Sequence, residues 1–171
     1  MIIKNSTIKP GIGFGPIKFG MDRDTVRSLI GEPGLEEQEN NDQDIVWHYY
    51  EEAHMPTIDH SSTILTLIFR KEDEYKLSMI SVSGGIESID HKKIEIFGNR
   101  LADLTLTETE KLLAENNIKD AKIEKTDVLA GGQPVVRSEE KQFSIYFKND
   151  KFDYVYMTPL FLDDDTYQWP E

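Results

Sequence analysis

Three histidines, His48, His54 and His60, recur at intervals of six residues with Glu51, Glu52 and Asp59 between them, side chains of the kind that ligate zinc. Such a set would serve a His/carboxylate metal-dependent enzyme. The spacing works against it, because i+6 puts no two histidines on one helical face and Pro56 breaks the stretch into loop. His48, His54 and His60 stand as weak metal candidates, better suited to touching a partner from the surface, and no cofactor is expected. Nucleophilic catalysis has less behind it: Ser61 and Ser62 follow His60, but no Gly-x-Ser-x-Gly elbow or Ser-x-x-Lys occurs. Gly11-Ile12-Gly13-Phe14-Gly15-Pro16 puts Pro16 where a dinucleotide fingerprint needs its third glycine, so it reads as a turn-rich entry to a helix. The chain has no cysteine, which removes thiol nucleophiles, disulfides and thiolate metal sites together.

Acids and aromatics carry more information. With 32 acidic against 19 basic side chains, the formal charge is −13, the wrong sign for a phosphate backbone or an anionic membrane. A macromolecular partner should therefore be a basic protein. The acids concentrate in segments that read as exposed: Glu36, Glu37, Glu39, Asp42 and Asp44 in one polar stretch, Lys71-Glu72-Asp73-Glu74 in a turn, and Asp163, Asp164 and Asp165 near the C-terminus. Beside them lie more aromatics than one sheet face can hide, among them Trp47, Tyr49, Tyr146, Tyr154 and Tyr156, with Tyr167 and Trp169 in the tail. Aromatics ringed by acids have the composition of a protein-binding hot spot. These acids and aromatics are the predicted partner-binding residues, with the tail read as an arm that docks a basic cleft.

These residues need elements to hold them. Asp22 precedes apolar Val26, Leu29 and Ile30 at i, i+3 and i+4, and Gly31 and Pro33 close the run: a short capped helix. Residues 36–44 contain no apolar side chain apart from the flanks and read as loop. Ile45–Tyr50 reads as a strand, and Thr63–Arg70 with Tyr75–Ser83 reads as a hairpin across a four-residue connection. Lys93–Phe97 is a short strand candidate. A second helix follows, with Thr105/Glu108 and Thr107/Glu110 competing as capping boxes and Asn116-Asn117 as the exit. Lys122–Leu129 reads as a strand, and Gln142–Lys148 with Lys151–Met157 as a hairpin around Asn149-Asp150. Simple alternation puts Phe143, Ile145 and Phe147 on one face and Tyr146 on the other, and puts Phe152, Tyr154 and Tyr156 together on a shared face.

Helix, polar connection, strand and hairpin thus occur twice, with Leu29-Ile30 answered by Leu112-Leu113 after roughly 80 residues. The predicted fold class is α+β: two related units, 1–88 and 89–171, each a short helix packed on an antiparallel sheet. Met1–Ser6 begins no apolar leader and no run approaches 18 apolar residues, so the expected address is cytoplasmic, as a monomer or weak dimer.

The run Gly20-Met21-Asp22-Arg23-Asp24-Thr25-Val26 through Leu29-Ile30-Gly31-Glu32-Pro33 resembles the helical opening of the repeats in β-lactamase inhibitory protein, and of the outer-membrane assembly lipoproteins that share this small α/β unit. The resemblance implies helices packed on antiparallel sheet and a concave protein-binding surface made by tandem units. In class properties the acidic, cysteine-free chain is also similar to bacterial toxin-immunity proteins. The expected function is accordingly an immunity or inhibitor protein, not an enzyme, that occludes a basic toxin or effector such as a nuclease domain. A small-ligand-binding module is the alternative.

Overall fold

Local chemistry sets the first elements. In the computed structural model, which describes residues 6–39, 43–50, 63–83, 94–125, 132–163 and 166–171, three short strands β1 (Thr7–Lys9), β2 (Gly13–Phe14) and β3 (Ile17–Lys18) precede helix α1 (Arg23–Ile30). The Asp22 carboxylate accepts from Thr25 N at 2.7 Å and starts α1; Gly31, at φ 89°, ends it. Four strands follow, β4 (Leu35–Glu39), β5 (Asp44–Tyr50), β6 (Thr63–Arg70) and β7 (Lys76–Ser83). Next come β8 (Glu95–Ile96), β9 (Asn99–Arg100) and α2 (Leu106–Glu115). Thr105 and Glu108 win the capping-box competition at α2, each satisfying the other's backbone N–H. The losing acid, Glu110, reaches across to accept from Ile123 N. The chain finishes with β10 (Lys122–Lys125), β11 (Pro134–Ser138), β12 (Phe143–Lys148), β13 (Lys151–Met157), β14 (Leu160–Asp163) and β15 (Thr166–Gln168).

Eight strands form one antiparallel sheet in the order β10-β11-β12-β13-β7-β6-β5-β4. It consists of two four-strand meanders, β4 to β7 and β10 to β13, each preceded by a helix. The meanders are joined where β7 pairs with β13, Val82 opposite Val155 and Ile80 opposite Met157. A smaller five-stranded sheet, β3-β2-β1-β8-β9, contains a parallel pair in which Ile8 lies opposite Ile96. The helices and this small sheet pack on one face of the large sheet. There Leu65, Leu67, Phe69, Ile80, Val82, Ile145, Val155 and Met157 meet Val26, Ile30, Phe14, Ile17, Ile96 and Leu113 in one apolar cluster. Burying each large aliphatic or aromatic side chain contributes about 1.5–3 kcal/mol, so this face supplies most of the fold's cohesion.

This architecture corrects the expected α+β class. The fold is mainly β: about half of the described residues lie in strands, only two α-helices occur among them, and the strands expected to form two helix-covered sheets run on as one. The predicted boundary at 88/89 lies outside the described residues. Residues 36–44, read as loop, place Glu36, Glu37 and Glu39 in edge strand β4, because pairing with β5 satisfies their backbone whatever the side-chain polarity. The strand expected over Lys93–Phe97 is confined, among its described residues, to Glu95–Ile96. Phe152 is also reassigned: a register shift between Tyr146/Phe147 leaves Asp153 as an extra residue, so Phe152 faces the core while Tyr154 and Tyr156 face outward. The Asn149-Asp150 turn has φ of 53° and 60°, as a tight hairpin of the primed type requires.

Candidate protein-binding face of the sheet

The face of the large sheet turned away from the apolar cluster carries the candidate site. Strand register aligns one row of side chains across it: Arg137, Ser144, Tyr156, Ser81, Thr66 and His48. Small serines on both sides of Tyr156 leave its ring standing clear of its neighbours, 36% exposed. The next row holds Tyr146 and Tyr154, stacked with ring centroids 4.2 Å apart and planes 12° from parallel. Burial, together with the neighbouring Tyr146 hydroxyl and Asp153, pushes the Tyr154 phenol up to about 12.

Two clefts flank Tyr156 and share Gln142, Tyr156 and Thr158 as walls. One, of about 310 Å³, runs toward Arg137 and Tyr146. The other, of about 580 Å³, runs toward Arg70, Asp73, Phe161 and Tyr167. The far wall is built by the C-terminal hairpin β14–β15. Phe161 leans on Tyr167 (centroids 5.0 Å apart), and Tyr167 leans on Trp169 (5.3 Å). Arg70 holds this hairpin down, with its guanidinium carbon 5.9 Å from the Tyr167 ring centre and Nη1 donating to the Tyr167 hydroxyl at 2.8 Å. Trp169 covers Gly20, whose φ of 81° suits glycine and where a Cβ would come within 3.0 Å of the indole. Lys76 Nζ lies 5.7 Å from the Trp169 ring centre, and Lys18 Nζ donates to the Glu171 carbonyl. The basic groups that these tail residues meet are this chain's own Arg70, Lys76 and Lys18.

The predicted site residues fall into separate places. Trp47 and Tyr49 are fully enclosed in the apolar cluster, 0% and 1% exposed, which corrects their expected place on a contact surface: alternation along β5 turns both inward. The Trp47 indole donates to Glu36 at 2.6 Å with Arg27 over its ring at 4.9 Å, and the Tyr49 hydroxyl donates to the Gly31 carbonyl. Asp44 is buried and accepts from Lys71 N, and Glu39 is exposed at the end of β4. His48 sits on the outer face between Thr66 Oγ1 (3.3 Å) and Glu37 Oε2 (3.1 Å). Asp42, His54, His60, Asp164 and Asp165 lie outside the described residues, and Asp163 ends β14. Among the described residues no three His, Asp or Glu side chains converge as a metal cage. Tyr146, Tyr154 and Tyr156 come together on the outer face.

Sequence reasoning missed Arg70, Arg137, Gln142 and Phe161 as site residues. Their common signal is only spatial. Arg70 meets Tyr167 through a strand-end placement that nothing in either local sequence encodes, and β11, which carries Arg137, was not foreseen as a strand at all.

No family model and no curated relative matches the chain. Among solved structures it is similar to an extracellular protein containing a SCP domain from Bacillus anthracis str. Ames, with 14% identity and a TM-score of 0.48. The match covers 82% of this chain and 43% of that one, so the chain spans less than half of that protein's length.

Proposed function

We propose that this chain is a protein-binding domain that acts as an immunity or inhibitor protein, occluding a basic toxin or effector through the outer face of its large sheet. The observation that carries the reading is the contiguous aromatic surface there. Tyr156 stands 36% exposed between Ser144 and Ser81, and Phe161, 47% exposed on the C-terminal hairpin, lines the same cleft. Apolar side chains this open, rimmed by Arg, Gln and carboxylates, have the make-up of an interface core and its polar rim. The formal charge of −13 supplies attraction to a cationic partner and speeds its approach. Inhibition would be stoichiometric, by covering the partner's working surface.

A photo-crosslinking residue at Tyr156, compared with one at exposed Ile12, tests the proposal in host cells. Capture of a single basic protein from the Tyr156 position and not from Ile12 supports it. Equal or absent capture from the two positions, or an acidic partner, overturns it.

A further inference from the structure

Resting on that reading, we infer that the two clefts flanking Tyr156 form one groove that receives a short extended segment of the partner bearing a lysine or arginine side chain, with its cation seated among Tyr156, Phe161 and Asp73.

Dimensions come first. The groove crosses the sheet from Arg137 on β11 to Arg70 at the end of β6, over β12, β13 and β7. From β11 to β6 is four inter-strand steps of about 4.8 Å, roughly 19 Å, which about six extended residues span. The larger lobe, at about 580 Å³, has room for a long side chain; the smaller lobe suits a shorter one.

Charge then selects the occupant. Arg70, Arg137, Glu72, Asp73 and Glu139 line the groove, three carboxylates against two guanidiniums. Both guanidiniums already have carboxylate partners, Arg70 with Glu72 at 3.3 Å and Arg137 with Glu124 at 3.5 Å. An incoming anion would therefore compete for donors already engaged and meet the remaining acids. An incoming cation meets Glu139 and Asp73, the latter already accepting from Ser78 Oγ at 2.7 Å and feeling the Arg70 charge, with no ion pair among the described residues to break at either carboxylate.

The aromatic walls act in the same direction. A cation over an aromatic face is stabilised by the ring quadrupole, and a lysine or arginine stem covers apolar surface as it reaches the charge site. Arg70 meets Tyr167 at the hydroxyl edge of its ring, which shows that a guanidinium fits against this wall and leaves the ring faces to other contacts. Tyr156 and Phe161 offer further ring surface to solvent.

The test is an amide-shift titration of the whole, isotope-labelled chain with octalysine, and in parallel with octaglutamate. Octalysine should saturate with shifts centred on Asp73, Tyr156, Phe161 and Tyr167. Tyr156→Ala should weaken it at least five-fold, and Glu139→Gln, a surface change that spares the core, two-fold or more. Circular dichroism establishes that both variants remain folded. Octaglutamate binding in the groove, or octalysine shifts centred on Glu36–Glu39 instead, overturns the inference. A partner crosslinked at Tyr156 while octalysine leaves the groove unshifted sinks the cation assignment alone. Octalysine in the groove with no crosslinked partner keeps the cation site and sinks the inhibitor role.

Discussion

Arg70 Nη1 donates to the Tyr167 hydroxyl at 2.8 Å across 97 residues of sequence, and this bond ties the C-terminal hairpin to the end of β6. The bond has a charged donor and sits where Phe161, Tyr167 and Trp169 build the far wall of the groove. Tyr167→Phe keeps the ring contacts and removes only the hydroxyl. It should cost about 1 kcal/mol in urea unfolding and raise amide exchange selectively in β14 and β15.

Glu36, which the sequence offers as a partner contact, has a task inside the fold. It accepts the indole N–H of Trp47 at 2.6 Å, the Trp47 ring being wholly buried. Glu36→Ala should leave that donor unsatisfied and destabilise the chain by about 1–3 kcal/mol, with Glu36→Gln recovering most of the loss because the amide oxygen still accepts. A stability unchanged in Glu36→Ala would return Glu36 to the list of surface acids.

Alkaline pH should act through the tyrosine pair. Burial raises the Tyr154 phenol to about 12, above its ordinary value of 10.0, so the folded state favours the neutral form. The resulting stability is intact below pH 10 and is lost as pH climbs from 10 through about 12, since the unfolded chain ionises first. Ultraviolet titration should show several tyrosines ionising late, because burial also raises the Tyr49 and Tyr167 phenols, and Tyr154→Phe should remove one of these late steps and leave the others.

At the acid end Asp120 should matter. Burial pushes its carboxyl up, but hydrogen bonds from Glu140 N at 2.9 Å and Ser138 Oγ at 2.8 Å outweigh this and hold it below its usual value. Stability from these bonds is present above the ordinary pKa of 3.8 and falls away as pH drops through the folded value. Asp120→Asn should flatten the acid limb of a stability–pH curve while leaving the neutral region little changed beyond the loss of one acceptor.

Reversing surface charge offers a separate check on the proposed partner. Glu72→Lys with Glu139→Lys should slow association with a captured basic protein several-fold at low salt, with the difference shrinking as salt is raised. An unchanged association rate would mean that the acids serve solubility alone.

Short-range signals were legible. The Asp22 and Thr105 caps, the Gly31 exit, the Asn149-Asp150 turn and the inward alternation of Leu65, Leu67 and Phe69 depend on neighbours within a few residues. What the sequence hid depends on partners far along the chain. Edge strand β4 is acidic and has no apolar period, so only β5 makes it a strand. The displaced register at Asp153 reverses the face of Phe152 without altering the pattern before it. At the candidate site, Tyr146, Tyr154 and Tyr156 were readable as outward aromatics. Trp47 and Tyr49 were misplaced because an aromatic strand inside a sheet looks the same in sequence as one on its surface. The groove itself, made where β6, β11, β13 and the tail converge, has no local signature.

The junction of β7 with β13 means that neither meander is finished by itself. Severed from the other, the first half would end in a naked border bearing Leu77, Ile80 and Val82, and the second in one bearing Val155 and Met157. Such borders recruit whatever strand is at hand, including the same strand from another molecule. Fragments of this chain should therefore cross-pair or exchange halves between copies, and mixing the two halves should reconstitute the whole sheet from separate polypeptides.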